Sequence, residues 1–182
     1  DAAVAAAAAF LDLPTVALPA IATGGNLLTD GHGRAFCTET MLVENAAQEP
    51  PIDEPAYRAL LRDHLGVHDL VVLENTEPMG IQHIDCWMKV VDAETLLVKR
   101  APEDHPEHGP LERNVALLRD LATPSGGRYR ILRIDCAPYG SMDMSRWGGE
   151  GEEELLPAYT NSLRLNGAVY VPLYDGPADA AA

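Results

Sequence analysis

His83 and Asp85 stand two residues apart in Gln82-His83-Ile84-Asp85. A strand over 83–91 would carry both side chains on one face, because strand side chains alternate with period two. A proton-transfer group beside a carboxylate could hold and attack a cationic planar group. Two other stretches open comparably, at Gly25-Asn26 and Thr160-Asn161. If the three stretches ring a common axis, Asn26 and Asn161 meet the His83 and Asp85 face at the centre.

The elements that must position these residues recur in one order: strand, strand, helix, strand. The first unit runs from Asn26 through a turn at Asp30-Gly31-His32-Gly33 into an apolar strand over 35–43. A helix follows, with Asp53 as N-cap, Pro55 in its first turn, Tyr57, Leu60, Leu61 and Leu65 on one face, and Gly66 as its stop. A strand over 69–73 closes the unit. The second unit has a strand over 83–91, a turn at Asp92-Ala93-Glu94 and a strand over 95–99. Its helix carries Leu111, Val115, Leu118 and Leu121 in phase, ends before Pro124, and leads to a strand over 129–134. The third unit pairs 162–165 with 168–173 through Asn166-Gly167, a strong hairpin signal. The period is near that of propeller-type repeats.

Residues 1–11 are alanine-rich and read as the tail of a helix, followed by a strand over 15–20. Gly176-Pro177-Ala178-Asp179-Ala180 reads as the start of another helix. Both ends therefore suggest a piece of a longer polypeptide. The expected division is 1–22 as the end of a preceding unit, 23–80 and 81–160 as two units, and 161–182 as the start of a third. The second unit carries an insertion at 137–158.

At 182 residues and 47% hydrophobic the chain can build a core, and 14 Pro with 15 Gly mark many turns. A formal net charge of −15 argues against nucleic acid and anionic membrane as partners and leans to a basic substrate. The longest apolar stretch is mostly alanine and is broken by Asp12 and Pro14, so no membrane span is expected. No basic leader precedes it, so no secretory signal is visible. Cys37, Cys86 and Cys136 show no CxxC pairing and are expected to be free, mostly buried thiols.

Three segments together carry a resemblance: Gly24-Gly25-Asn26-Leu27-Leu28-Thr29-Asp30-Gly31-His32-Gly33, His83-Ile84-Asp85-Cys86-Trp87-Met88-Lys89, and Tyr159-Thr160-Asn161-Ser162-Leu163 with Leu165-Asn166-Gly167. In this order they resemble the bacterial peptidylarginine deiminase and agmatine deiminase family of guanidine-modifying enzymes. The peptidylarginine branch is favoured by Cys86-Trp87 after the His-x-Asp and by the segments 97–102 and 129–133. The resemblance implies a pseudo-fivefold α/β propeller, of which this chain is about half. It implies that Asp85 holds the guanidinium by paired charge-assisted hydrogen bonds. It also implies that His83 is the general acid and base, protonating departing ammonia and then helping water hydrolyse a cysteine thiouronium intermediate. Asn161 would help orient substrate or nucleophile, and Asn26 would fix the turn at the base of its unit. No metal or organic cofactor is implied; the partner is a small guanidine or an arginyl peptide. The family places its nucleophilic cysteine in a segment that would lie beyond Ala182, and a second guanidinium-binding aspartate upstream of Asp1. Cys86 should point to the opposite strand face, Cys37 sits mid-strand and Cys136 ends an edge-like segment.

Other readings stand beside these. His-x-Asp on a strand is also an ordinary hydrogen-bonded pair, and Asn161 could simply cap its hairpin. Asp104-His105-Pro106-Glu107-His108 could ligate a metal but reads as a solvated connection. His32 and His64 read as surface residues and 150–154 as a solvated loop. Tyr139, Met142, Met144 and Trp147 in the insertion suggest a lid. An amidinotransferase on the same ring, or a non-catalytic binding protein, are the alternative functions.

Overall fold

The computed structural model describes residues 2–78, 80–147, 150–176 and 179–180. Asp1, Pro177 and Ala178 of the expected terminal helices lie outside the described residues. Helix α1 spans Ala2–Phe10 and is built almost wholly of alanine, the best helix former. Residues 15–20 form no strand. Pro14 and Pro19 remove backbone donors that a ladder there would need.

The first sheet contains β1 (Leu28–Thr29), β2 (Arg34–Thr38) and β3 (Asp69–Leu73) in that spatial order. Strands β1 and β2 are antiparallel, and β2 and β3 are parallel. Asp30 closes the β1–β2 turn by accepting from the backbone N–H of His32 (2.7 Å) and Arg34 (3.1 Å). The strand expected over 35–43 ends at Thr38, and helix α2 (Thr40–Ala46) takes over. Met41 and Asn45, four residues apart, are both buried, which is a helical period rather than a strand one. Helix α3 (Glu54–Leu65) has the expected punctuation. Asp53 accepts from Ala56 N at 2.9 Å, and Gly66 closes the helix in the left-handed region at φ 69°.

The second sheet repeats the plan with β4 (Met88–Asp92), β5 (Thr95–Arg100) and β6 (Arg130–Asp135) in order. Again the first pair is antiparallel and the second parallel, with α4 (His108–Asp120) in the crossover. Within 137–158, β7 (Gly140–Asp143) and β8 (Glu152–Leu155) pair antiparallel as an inserted hairpin. Hence 152–154 belong to a strand rather than a loop: alternating Glu152 and Glu154 are exposed while Glu153 turns partly inward. Strands β9 (Leu163–Leu165) and β10 (Ala168–Tyr170) form the last hairpin. Asn166 (φ 51°) and Gly167 (φ 79°) both occupy the left-handed region that a two-residue turn of this hand requires.

A short 3₁₀ turn precedes each of β1 and β4, at Gly24–Asn26 and Ile84–Cys86. The expected strand over 83–91 is thus corrected: His83 is extended, 84–86 are a turn, and the strand starts at Met88. A matching i→i−3 bond occurs three times: Asn26 N to Thr23 O (2.9 Å), Cys86 N to His83 O (3.3 Å) and Asn161 N to Ala158 O (2.9 Å). In each case the next strand begins two residues after the donor.

The whole is a mixed α/β fold of small sheets. Phe36, Val71 and Leu73 of the first sheet pack in one core with Ile84 and Trp87, with Val98 of β5, and with Leu111, Val115 and Leu118 of α4. A second cluster joins Ala35 and Cys37 to Met41, Tyr57 and Leu61 under α2 and α3. The tract 104–108 is solvated only in part: Asp104 and Pro106 are exposed, but His105 and Glu107 are each only 5% exposed. His105 Nε2 meets Glu154 O at 3.1 Å, and its Nδ1 accepts from Glu107 N at 3.2 Å. This imidazole ties the inserted hairpin to the start of α4. Glu107 in turn pairs with Lys99 at 2.5 Å, both side chains buried. Among the described residues no helix is long and apolar enough to cross a membrane.

Candidate active site

The 3₁₀ turn, not strand alternation, brings His83 and Asp85 together. Gly25 shows where they meet. A Cβ built on Gly25 would lie 2.8 Å from His83 Nδ1 and 2.8 Å from Asp85 Oδ2. The two functional atoms are therefore at most twice that distance apart, over a backbone that only glycine leaves open. The first turn supplies the bare backbone and the second supplies the imidazole and the carboxylate.

Asn26 holds the two turns against each other. It is fully buried, and its Oδ1 accepts from Thr38 N (3.1 Å) in its own unit and from Ile84 N (3.1 Å) in the next. Its Nδ2 donates to Thr38 Oγ1 at 2.8 Å. Asn26 was expected to fix the turn of its own unit; it also fixes the peptide between His83 and Asp85. Thr160 Oγ1 donates to the Asp85 carbonyl at 2.9 Å, so the third stretch also grips this turn. That contact sets the backbone of Asn161 beside Asp85, while the Asn161 side chain itself is exposed. The sequence placed Thr160 in the Thr160-Asn161 motif without a role and did not single out Thr38, because nothing local shows which backbone groups a distant hydroxyl will reach.

His83 and Asp85 are both partly buried. Burial pushes the Asp85 carboxyl above its ordinary range, against the opposing pull of His83, of the Cys86 thiol and of Lys89. An ionised Asp85 here lacks full solvation, which favours an incoming cation. Lys89, whose own ammonium is made more acidic by burial, is anchored by donating to the Ser162 carbonyl.

The three cysteines are free and buried. Burial pushes the Cys37 thiol up to about 12 and the Cys136 thiol up to about 11, and it raises Cys86 as well. The expectation that Cys86 points away from Asp85 is corrected. In the turn its Sγ lies 3.8 Å from Asp85 Oδ1, and the thiol also interacts with Glu77. A low-pKa nucleophile needs the reverse environment, electropositive and partly exposed.

Met142, Met144, Leu155 and Leu156 of the inserted hairpin and its flank wall a cavity of about 260 Å³ together with Cys86 and Glu77. The hairpin thus packs beside the turn that carries Asp85. His32 and His64 are exposed. Among the described residues no group of three or more His, Cys, Asp or Glu side chains is placed to hold a metal ion.

Known proteins resemble this chain in sequence and fold. A curated agmatine deiminase from Pseudomonas putida is 27% identical over 176 residues, covering 87% of this chain and 46% of its own length. The structure of a candidate arginine deiminase from Porphyromonas gingivalis superposes with a TM-score of 0.73 at 29% identity, over 87% of this chain and 45% of that one. A C. jejuni agmatine deiminase with a cysteine replaced by serine and substrate bound gives a TM-score of 0.73 at 19% identity, over 94% of this chain and 48% of that one. The chain spans about half the length of the relatives it matches. The family model for Porphyromonas-type peptidyl-arginine deiminases matches residues 1–182. With that match over its whole length, the chain belongs to the Porphyromonas-type peptidyl-arginine deiminase family.

Proposed function

We propose that this chain carries the acid–base and guanidinium-binding half of a deiminase. The observation that carries the reading is the convergence of His83 Nδ1 and Asp85 Oδ2 over Gly25. Asp85 pairs with two guanidinium N–H groups, which fixes the planar carbon for attack. A cysteine thiolate adds to that carbon, and His83 protonates the departing ammonia. Water, deprotonated by His83, then attacks the thiouronium carbon, releasing the thiol and leaving a ureido group. The raised thiols of Cys37, Cys86 and Cys136 favour a nucleophile from the half of the relatives' length that this chain does not span.

Peptidyl arginine is the substrate we favour, since the matching family model is of the peptidyl-arginine type. Agmatine is the second reading, supported by the names of the curated relatives. In this reading Asn161 orients substrate beside Asp85. The inserted hairpin serves as a lid, and the repeated units, divided at 23–80 and 81–160, are part of a pseudo-fivefold α/β propeller.

The test is citrulline or ammonia release by the complete protein from an arginyl peptide, agmatine and free arginine. His83→Ala and Asp85→Ala should each lower kcat/KM by about a thousandfold, within the range for general acid–base and charge-pairing groups. Ornithine in place of citrulline, with an amine acceptor present, would mark an amidinotransferase instead. Acid should weaken guanidinium binding early. Because burial raises the Asp85 carboxyl, it protonates above the ordinary aspartate range, and affinity is lost as pH falls through that raised range. Ligand-induced thermal shifts across pH 4–8 check the sign; an affinity flat down to pH 4 would remove Asp85 from the binding role.

A further inference from the structure

We infer that Gln82 is the positioning residue that sets His83, a role that rests on the deiminase reading for its chemistry but on geometry for its existence. Gln82 is a non-glycine residue in the left-handed region, at φ 55°. Long unbranched side chains seldom adopt that conformation, which survives only where surroundings over-determine it.

Here they do. Gln82 N donates to Glu77 Oε2 at 3.0 Å, and Gln82 O accepts from Thr38 Oγ1 at 2.9 Å. Its Oε1 accepts from Thr40 Oγ1 at 3.1 Å and from Asn75 Nδ2 at 3.5 Å, and its Nε2 donates to Glu77 O at 3.3 Å. Every backbone and side-chain polar group of this residue is engaged. The partners come from the end of β2, the start of α2 and the loop after β3. Three separate parts of the first unit therefore converge on the residue immediately before His83.

Asp85 is held by other means. Its turn is fixed by Asn26 Oδ1 on Ile84 N and by Thr160 Oγ1 on its own carbonyl. The two members of the pair thus have different direct anchors, Gln82 for His83 and Asn26 with Thr160 for Asp85, which meet at the Thr38 hydroxyl. Releasing Gln82 should swing the imbalance onto the imidazole and leave the carboxylate in place. Proton transfer should suffer while guanidinium binding persists.

The experiment uses the complete protein and the best substrate from the assays above. Gln82→Ala should lower kcat by roughly 10–100-fold with KM within about twofold, the cost of a misplaced but intact catalytic group. Gln82→Asn, which tolerates the left-handed region and keeps an amide, should recover part of that loss. Added to His83→Ala, the Gln82→Ala change should cost nothing more, because it acts through the imidazole. Equal losses in both backgrounds, or a rise in KM with kcat unchanged, overturn the proposal. If Gln82→Ala fails to fold, Gln82→Gly adopts the same φ freely and carries the test.

A readout without turnover separates this idea from the deiminase reading. The His83 ring signal, identified by its loss in His83→Ala, should move in the NMR spectrum of Gln82→Ala while the other histidine signals stay put. An unmoved His83 signal sinks the positioning role. A wild-type protein inactive on every guanidine, with the His83 signal still moving, sinks the deiminase reading alone.

Discussion

The turns that open the first two units share a backbone and divide the labour. Gly25 and Asp85 hold the same place, each one residue before the donor of the i→i−3 bond. In the first unit that place is bare, and in the second it carries the carboxylate. The first is bare because the second is occupied: the volume a Gly25 side chain would take is where His83 and Asp85 lie. One residue on, Asn26 is a buried clamp between units, and its counterpart Cys86 is a buried thiol against Asp85. A bare position in one turn leaves room for the side chains of the other.

The contrast continues into the sheets. Leu28 pairs with Phe36 and Met88 with Val98, so Cys37 and Lys99 occupy equivalent places on the central strands. In the first unit this inward position holds an uncharged thiol among Ala35, Met41 and Tyr57. In the second it holds a lysine that must be neutralised by Glu107. A buried pair is weak evidence of net stability, but removing one partner leaves a charge with nowhere to go.

Four substitutions can break this comparison. Glu107→Gln should destabilise by about 3–5 kcal/mol, since Lys99 is left charged and unpaired, whereas Cys37→Ala should cost only about 1 kcal/mol. Denaturant unfolding of both measures the gap; equal costs would mean that the second core is no more dependent on charge than the first. Asn26→Ala strips the acceptor from two buried backbone donors and should cost about 2–4 kcal/mol, read as a drop in Tm. An unchanged Tm would show that the two turns do not need the clamp. Gly25→Ala should leave folding nearly untouched and lower kcat/KM about a hundredfold, or ~2.7 kcal/mol at the barrier. A methyl group tolerated there at full activity would show that the first turn is not the floor of the site.

Much of the fold was legible in local sequence. Asp53, Pro55 and Gly66 bracket α3 as their capping chemistry demands, and Asn166-Gly167 builds the hairpin it announces. These signals work because the residue that sets the backbone angle is the residue that adopts it. The 35–43 stretch misled because an apolar run fits a strand or a buried helix equally well, and only packing of Met41 and Asn45 decided for α2. His105 and Glu107 misled for a related reason. A charged, proline-containing tract reads as solvated until Lys99 and the inserted hairpin are known to cover it.

By itself the sequence determined which side chains are available: a histidine and a carboxylate in one short motif, two asparagines in matching motifs, and the order of elements around them. Only the tertiary structure decided how they meet. His83 and Asp85 converge through a 3₁₀ turn rather than by alternation along a strand, and the turn is held by Asn26 and Thr160 from sequence-distant segments, with Thr38 holding Asn26. Periodicity reports the conformation a segment prefers on its own. Hydrogen bonds from residues tens of positions away are what select the conformation that the site uses.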